Sequence, residues 1–402
     1  MRVMVLLYSV CGQGHAAVVA GLLRGVLAQD SECSVVVVSG GLAPPPGCLP
    51  DDVDLVQLPG YVPSVGLFSG LVPRARKLPS AVLKKTRQRI LSALVSTLRP
   101  DVVVCEHYPF GRHAFAKELE RVLLQAVAGG ARLVASLAVL GGRSPEHLRE
   151  ELVLEQTQRF ERILVHTDPQ VERLDDDYPA AAPRLHERLR YTGYVLPQVT
   201  PPRPREEVRA LLGVPADTPL LVAHAGGGRD GAELLRRVLL AHPRVMPRPA
   251  LLLVSGPALP QSEALELETL ARRTTGARWE RSRTDLFDCV AAADGVVCMA
   301  GYASATELLA ARVPALLSPR LGEEQERRAR RLQQLGRAEL LAADAPLPAV
   351  AAALSTLLRT PRPPADSIQL DGARRGAAEI LALGHTAPGR PVQELDEAEE
   401  TT

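Results

Sequence analysis

Residues 295–325 read GVVCMAGYASATELLAARVPALLSPRLGEEQ and contain two strand–turn–helix units in succession. Gly295–Met299 is a short apolar run typical of a buried strand, and Ala303–Ala311 has the pattern of a helix. The next strand is expected at Ala315–Ser318, and a charged helix follows at Glu323–Leu335. Because the strands are continuously apolar and alternate with helices, the pattern predicts a parallel sheet that is covered on both faces.

The alternation of strands and helices extends outward from this stretch over nearly the whole chain. In the first half we expect strands at 3–8, 34–39, 53–58, 101–105, 132–136 and 162–166. The second half begins again with predicted strands at 220–224, 250–255 and 277–280. Prolines at positions 197, 201, 202 and 204 separate the two series, because proline disrupts regular secondary structure.

These patterns predict an α/β protein with two Rossmann-like domains whose parallel sheets face a central cleft. The first domain covers residues 1–195, residues 196–204 form the linker, and the second domain covers residues 205–365. A last helix is expected at 366–384, and the acidic tail at 385–402 is expected to be disordered. Open parallel sheets bind ligands beyond the carboxyl ends of their strands, so the residues that follow the strands are the candidates for a site.

The composition argues against several classes of protein. The chain of 402 residues is 46% hydrophobic, which is ample for packed cores. Its net charge of +1 and its aromatic content of 3% give no indication of nucleic-acid binding. No C-x-x-C pair occurs, and no apolar run approaches the ~20 residues of a membrane span. We therefore expect a cytoplasmic protein with reduced cysteines.

Two glycine-rich turns follow predicted strands and open predicted helices. Residues 12–17 read GQGHAA and residues 226–231 read GGGRDG, and both match the phosphate-binding pattern G-x-G-x-x-G/A. A dinucleotide site also needs an acidic residue at the end of the next strand, where the sequence has Ser39-Gly40 and Ser255-Gly256 instead. This argues against a nicotinamide or flavin cofactor. The alternative for each turn is a tight connection that binds no ligand.

A third turn, at the centre of the stretch quoted above, has the residues of a diphosphate site. Gly301 to Ser304 begins a helix, whose free N–H groups and dipole suit a diphosphate, and Ser304 adds a hydroxyl donor. Glu307, one turn later, can accept hydrogen bonds from both hydroxyls of a ribose. Glu324 and Gln325 offer polar groups to sugar hydroxyls. Together these residues fit a nucleotide diphosphate-sugar.

The same stretch resembles the donor-binding signature of GT-B glycosyltransferases, in particular the lipid II-forming N-acetylglucosaminyltransferases and the related UDP-glycosyltransferases. Their pattern is small-Gly-x-x-[Ser/Thr]-x-x-Glu, then Gly-x-Pro, then Pro and a helix with Gln. The chain matches it with Ala300-Gly301, Ser304, Glu307, Pro314, Pro319 and Gln325. The segments EHYPFGR, LVHTDP and YTGYV also resemble a group of predicted bacterial glycosyltransferases. Arg312 departs from the pattern, since the family often has Gly there, and so does Gly228, where the family often has Ser.

The resemblance implies an enzyme that transfers a hexose or N-acetylhexosamine from a UDP-sugar to an acceptor hydroxyl or amine. Inversion at the anomeric carbon is the expected stereochemistry, and retention remains an alternative. It also implies that the second domain binds the donor, that the first binds the acceptor, and that the last helix crosses back onto the first domain. The donor-binding residues are then Gly226, Gly227, Gly228, Arg229, Gly301, Ser304, Glu307, Glu324 and Gln325. A sugar-nucleotide 2-epimerase of the same fold, a non-catalytic sugar-nucleotide-binding protein and, third, a dehydrogenase remain as alternatives.

His15 and Glu106 are the candidate catalytic residues. His15 lies in the first helical turn after Gly12 and Gly14, which we expect to face the acceptor or a phosphate. A neutral imidazole there can accept the proton of an acceptor hydroxyl, bind the donor phosphate, or merely be solvated at a helix start. Glu106 follows a strand, where a carboxylate suits acid–base chemistry, and Arg112 can bind an acceptor phosphate or form an ion pair with Glu106.

No catalytic metal is expected. Asp52-Val53-Asp54 has the D-x-D pattern of metal-dependent glycosyltransferases, but it begins a strand instead of ending one. Helix N-termini and arginine side chains would then stabilise the leaving diphosphate.

Residues 55–100 contain no Asp or Glu but carry Arg74, Arg76, Lys77, Lys84, Lys85, Arg87, Arg89 and Arg99. Three interpretations are open for this basic segment: a solvated helix face, a phosphate-bearing acceptor, or an anionic membrane surface. Because the apolar loop Gly66–Gly70 lies just before the predicted helix, we also consider a weak peripheral membrane contact through residues 66–89. The acceptor is then a small molecule or a lipid-linked one.

Overall fold

The chain folds into two parallel sheets, each covered by helices on both faces. The computed structural model describes residues 1–9, 14–63, 71–74, 79–138, 150–196, 201–228, 230–320, 322–365 and 367–385. The acidic tail beyond 385 and the apolar loop at 66–70 lie outside the described residues. Of the helices that are described, none is both long enough and apolar enough to cross a membrane.

The first sheet has seven parallel strands within the described residues, in the order β3-β2-β1-β6-β7-β8-β9. These strands are β1 (Arg2–Leu7), β2 (Ser34–Ser39), β3 (Val53–Gln57), β6 (Val102–Glu106), β7 (Arg132–Leu137), β8 (Phe160–Val165) and β9 (Leu189–Tyr191). The short strands β4 (Tyr61–Pro63) and β5 (Leu71–Pro73) form a separate antiparallel pair. The helices of this half are α1 (Gly14–Gln29), α2 (Ser80–Leu98), α3 (Ala116–Ala128) and α4 (Glu150–Thr157).

The second sheet has six parallel strands in the part of the chain that is described, in the order β12-β11-β10-β13-β14-β15. They are β10 (Leu220–His224), β11 (Ala250–Val254), β12 (Ala277–Glu280), β13 (Gly295–Cys298), β14 (Ala315–Leu317) and β15 (Glu339–Leu340). The helices of this half are α5 (Arg205–Leu212), α6 (Ala232–Ala241), α7 (Gln261–Arg272), α8 (Leu286–Ala292), α9 (Tyr302–Ala311), α10 (Gly322–Gln334) and α11 (Leu347–Leu357). A last helix, α12, covers Gly372–His385.

The central strand β1 is apolar on both faces because both faces are buried. Val3, Val5 and Leu7 pack into a core with α1 and α12, whereas Met4 and Leu6 pack into a core with α2 and α3. Side chains alternate between the two faces of a strand, so a sheet that is covered twice needs an unbroken apolar run. The predicted fold class, α/β with two Rossmann-like parallel sheets, is confirmed.

Helix α12 lies on the first sheet although it follows the second sheet in the chain. Ala377, Ile380 and Leu381 of α12 share a core with residues of α1. The two helices approach closely at Gly25, where an added Cβ would lie 2.3 Å from the backbone oxygen of Ala373. Glycine at this position therefore allows α1 and α12 to touch backbone to backbone.

Replacing Gly25 by alanine tests this helix contact. The new methyl group would meet backbone, which cannot rotate away, so we expect Gly25→Ala to lower the free energy of unfolding by about 1–3 kcal/mol. The better helix propensity of alanine offsets part of that loss, by about 1 kcal/mol. Urea unfolding measures the change, with the exposed Ala28→Ser as a control that should stay within about 0.5 kcal/mol. Equal stability of the Gly25→Ala variant and the wild type would contradict the close packing.

Candidate active site

The candidate site lies where the carboxyl ends of the two sheets meet. Tyr302, the first residue of α9, donates its hydroxyl hydrogen to the backbone oxygen of His166 at 2.6 Å. The same hydroxyl accepts a hydrogen bond from the backbone N–H of Val195 at 2.9 Å. Since His166 follows β8 and Tyr302 follows β13, one side chain joins the two edges at which parallel sheets bind ligands.

His15 and Glu106 are in direct contact. His15 is the second residue of α1, and Glu106 is the last residue of β6, which pairs with β1 in the first sheet. The Nδ1 atom of His15 lies 2.5 Å from Oε1 of Glu106, and the side chains are 18% and 5% exposed. This contact turns Nδ1 inward, so Nε2 is the ring nitrogen left for a substrate.

Arg112 holds the other oxygen of the Glu106 carboxylate. Its Nε and Nη2 atoms donate to Oε2 at 3.2 and 2.9 Å. Burial alone would raise the pKa of Glu106, but the guanidinium of Arg112 and the interactions with His15 and His107 outweigh it and hold the pKa well below its usual range. Glu106 is therefore ionised near neutral pH. The ion pair with Arg112 that the sequence left as an alternative is present.

His107 completes a cluster of potential metal ligands. The ligand atoms of His15, Glu106 and His107 all lie within 4.8 Å of one another. Two ligands of one tetrahedral zinc ion, each bound at about 2.0–2.2 Å, would be separated by roughly 3.3 Å. The contact between Nδ1 of His15 and Oε1 of Glu106 is much shorter, at 2.5 Å. The geometry therefore fits a direct contact between the two side chains better than a shared metal, and the absence of a catalytic metal stays a prediction.

Another histidine, His166, lies buried near Glu106. His166 contacts the hydroxyl of Ser136 through Nε2 and the hydroxyl of Thr192 through Nδ1, both at 2.8 Å. Burial lowers the pKa of His166 to about 4, against a smaller opposing effect of Glu106. His166 is thus a neutral structural residue, and Ser136 lies beside Glu106 in the pairing of β6 with β7.

The second glycine turn packs tightly on one side and is open on the other. Gly228 has a φ of 91°, and a Cβ there would lie 2.2 Å from the backbone oxygen of Ser255. A Cβ on Gly227, in contrast, would meet no atom within 4 Å, and the same holds for Gly14 and Gly301. The turn at Gly226 also lies against α9, since a Cβ there would be 3.7 Å from Oγ of Ser304. Gly12 and Arg229 lie outside the described residues.

The start of α9 presents free backbone groups and a carboxylate that has no partner among the described residues. Gly301 occupies the N-cap position with an extended backbone, so the first N–H groups of α9 have no partner within the helix. Glu307, one turn further on, keeps part of its surface accessible but is densely surrounded by protein. Burial raises its pKa to about 7, and no hydrogen bond or ion pair to the described residues compensates the charge.

Arg328 of α10 holds the residue just before α9. Its Nη1 donates to the backbone oxygen of Ala300 at 2.8 Å, and its Nε and Nη2 donate to both carboxylate oxygens of Glu172 at 2.8 and 2.9 Å. Arg328 and Glu172 are each 0% exposed. Ala300 has a φ of 61°, which is unfavourable for a residue with a Cβ, so this backbone needs external support.

The two predicted sugar contacts on α10 already have partners. Glu324 forms an ion pair with Arg328 at 2.6 Å. The side-chain oxygen of Gln325 accepts a hydrogen bond from the backbone N–H of Arg320 at 3.2 Å. Through Arg328, Glu324 is linked to Ala300, the residue before the N-cap of α9. Their contacts with a sugar stay a prediction.

The sequence did not single out Arg328, Glu172 or Tyr302. A signal existed for Arg328, because Gln325, Arg328, Ala329 and Leu332 are spaced as one buried helical face. The surrounding sequence EEQERRARR is so highly charged that this face is hard to see. No such signal exists for Glu172 and Tyr302, because their partners lie more than a hundred residues away in the chain.

Comparison with known proteins finds its matches among solved structures. No protein-family model and no curated protein matches the chain. MurG of Acinetobacter baumannii is similar with a TM-score of 0.55 and 16% identity, over 96% of this chain and 98% of that one. Anabaena Alr3699/HepE in complex with UDP-glucose is similar with a TM-score of 0.54 and 15% identity, over 96% of this chain and 97% of that one. The UDP-GlcNAc 2-epimerase from Methanocaldococcus jannaschii is similar with a TM-score of 0.59 and 12% identity, over 96% of this chain and 100% of that one.

These similarities define the fold of the chain. The matched structures include GT-B glycosyltransferases, and the two parallel sheets described above have the same arrangement. The chain therefore has the GT-B fold, as the signature around Gly301 predicted. At such low identities the likeness shows the fold alone, and the reaction must be argued from the site itself.

Removing Arg328 tests the buried ion pair at the site. We expect Arg328→Met to lower the free energy of unfolding by about 3–5 kcal/mol, because Glu172 would be left as an unpaired buried charge. The double variant with Glu172→Met should recover part of the loss. Arg330→Met, at a 68% exposed position of the same helix, should change stability by less than about 1 kcal/mol. A double variant less stable than Arg328→Met would contradict this explanation.

Proposed function

We propose that the protein is a glycosyltransferase that transfers a hexose or N-acetylhexosamine from a UDP-sugar to an acceptor hydroxyl or amine. The observation that carries the proposal is the pairing of an open helix start at Gly301 with the uncompensated carboxylate of Glu307 one turn later. The first group suits a diphosphate, and the second suits the vicinal hydroxyls of a ribose. Anabaena Alr3699/HepE, of the same fold, was solved with UDP-glucose.

The proposed donor site uses the second half of the chain. N–H groups at the start of α9 and the hydroxyl of Ser304 bind the diphosphate, while Gly227 leaves room for phosphate oxygens over the neighbouring turn. Arg229 adds a positive charge in the same turn. Ribose hydroxyls donate to Glu307, and Glu324 and Gln325 bind the sugar.

The proposed reaction is a direct displacement at the anomeric carbon. His15 accepts the proton of the acceptor through Nε2, while its Nδ1 is held by Glu106 at 2.5 Å. The acceptor oxygen or nitrogen forms a bond to the anomeric carbon, and the bond from that carbon to the UDP oxygen breaks. Glu106 stabilises the resulting imidazolium, and the helix start at Gly301 stabilises the leaving diphosphate without a metal.

The acceptor is proposed to enter on the side of the first sheet. Gly14 faces open space at the start of α1, next to His15. Arg112 is held by Glu106, so it orients the carboxylate and adds positive charge beside the acceptor. Whether the acceptor is a small molecule or lipid-linked, the proton leaves it at the same atom of His15.

The affinity for the donor is expected to depend on pH through Glu307. The raised pKa of Glu307, about 7 against 4.5 in the unfolded chain, means that its ionisation destabilises the empty protein progressively between about pH 4.5 and 7. Ribose hydroxyls favour the ionised form, so the affinity for UDP-glucose should rise about tenfold from pH 6 to pH 8. UDP-glucose is the suitable probe because its diphosphate diester does not titrate in this range.

Titration calorimetry of Glu307→Gln checks this assignment. The variant should bind UDP-glucose more weakly at pH 8 and lose most of the pH dependence, whereas the exposed Glu187→Gln should behave as the wild type. At a hundredfold excess over its dissociation constant, the ligand should stabilise the wild type by ~2.7 kcal/mol. Unaltered affinity and pH dependence in Glu307→Gln would remove Glu307 from the ribose role. No binding of any UDP-sugar by the wild type would refute the proposed function.

Replacement of His15 tests its proposed role as the general base. His15→Asn should reduce turnover by about 10²–10⁴-fold, because general-base assistance is lost, with donor affinity nearly unchanged. The exposed His186→Asn is the matched control in the same half of the chain. Turnover is measured as UDP release and as glycosylated product by mass spectrometry, over a panel of alcohols and amines.

Product analysis also separates the alternative functions. Conversion of UDP-N-acetylglucosamine alone to its manno isomer would identify an epimerase. Tight donor binding without turnover of any acceptor would identify a non-catalytic binding protein. Normal turnover by His15→Asn would exclude His15 as the base.

A further inference from the structure

A cationic groove lies between α2 and α3, on the face of the first sheet opposite α1. It has a volume of about 990 Å³. This lies at the upper end of the ~300–1,000 Å³ typical of small-molecule sites. Its positive lining comes from both helices: Lys84, Lys85, Arg89, Lys117 and Arg121. We call it the α2–α3 groove.

The positive charges of the α2–α3 groove are not neutralised by the described part of the protein. None of its five cations forms an ion pair with a described carboxylate. The acidic residue of the lining, Glu118, is already bound through both oxygens by Arg87 at 2.9 and 2.8 Å. Tyr8 donates to the same carboxylate at 2.7 Å. The groove therefore has a strong positive potential that an anion would relieve.

The choice of lysine in the groove is unusual for this chain. The protein has 47 basic residues, of which only Lys77, Lys84, Lys85 and Lys117 are lysines. Three of these four line the α2–α3 groove. An overall preference for arginine does not explain lysines concentrated at one place. The lysine ammonium is a compact charge with three rotatable donors, which suits phosphate oxygens of varied position.

The groove is concave and has an aromatic floor. Tyr61 lines it and is 6% exposed, with Ser80 beside its hydroxyl. A concave site of this volume suits a soluble ligand better than a flat bilayer surface.

We propose that the α2–α3 groove is a binding site for a soluble ligand that carries two or three phosphate groups. Each phosphate contributes about −1.5 to −2 charges at neutral pH, so two or three match the five cations. The ammonium groups of Lys84, Lys85 and Lys117 donate to the phosphate oxygens. This site is separate from the proposed donor site and does not rest on the proposed function.

Calorimetric titration with tripolyphosphate tests the proposal. It is run with UDP-glucose in excess, so that a diphosphate site at Gly301 does not contribute. The test variant is Lys84→Gln/Lys85→Gln/Lys117→Gln. The matched control is Arg244→Gln/Arg248→Gln/Arg359→Gln, which removes the same charge from three exposed arginines in the second half of the chain. Thermal unfolding verifies that both variants fold, and co-sedimentation with phosphatidylcholine/phosphatidylglycerol vesicles tests the membrane interpretation.

We expect the wild type and the control to bind tripolyphosphate, and the lysine variant to bind it at least tenfold more weakly. UDP-glucose affinity should be equal in all three proteins, which separates this site from the donor site. Three outcomes would overturn the proposal: no tripolyphosphate binding by the wild type, equal weakening in both variants, or lysine-dependent binding to vesicles without binding of tripolyphosphate.

Discussion

The buried ion pair between Arg328 and Glu172 is the interaction on which the site depends. Arg328 comes from α10 in the second half of the chain, and Glu172 from the loop after β8 in the first half. The same guanidinium supports the backbone of Ala300, which has a φ of 61° directly before α9. Hence the contact that joins the two halves also fixes the helix start that is proposed to bind the donor. A buried pair of this kind contributes more to a defined geometry than to net stability, since desolvation offsets much of the attraction.

Two carboxylates of the site have opposite electrostatic surroundings. Glu106 is paired with Arg112 and contacts His15, so its pKa is held low and it is ionised in the empty protein. Glu307 is densely surrounded by protein and pairs with no cation among the described residues, so its pKa rises to about 7. A carboxylate that is already paired is suited to orient a neighbouring imidazole, whereas an uncompensated one is suited to gain hydrogen bonds from a ligand. The different environments thus support the different roles proposed for the two residues.

The predictions from the sequence were best where local pattern decides the structure. Strands β2, β10 and β12 have the predicted bounds, since apolar runs and their flanking residues are local signals. Strands β9 and β15 and helix α5 were not predicted, because each is short and has no long apolar run. For the site, the ion pair between Glu106 and Arg112 was one of the options that the sequence left open, whereas the contact between His15 and Glu106 was not predicted. The sequence did not predict that Glu324 would pair with Arg328 or that Gln325 would bind the backbone of Arg320.

The sequence by itself determined the two parallel sheets, their order along the chain and the glycine turns at the ends of strands. These features follow from the periodicity of apolar residues and from backbone preferences, which act over a few residues. Only the tertiary structure decided that Arg328 turns inward to Glu172, and that cations of α2 and α3 face one groove. Each of these depends on residues far apart in the chain, whose charges and shapes become neighbours only when the sheets and helices pack.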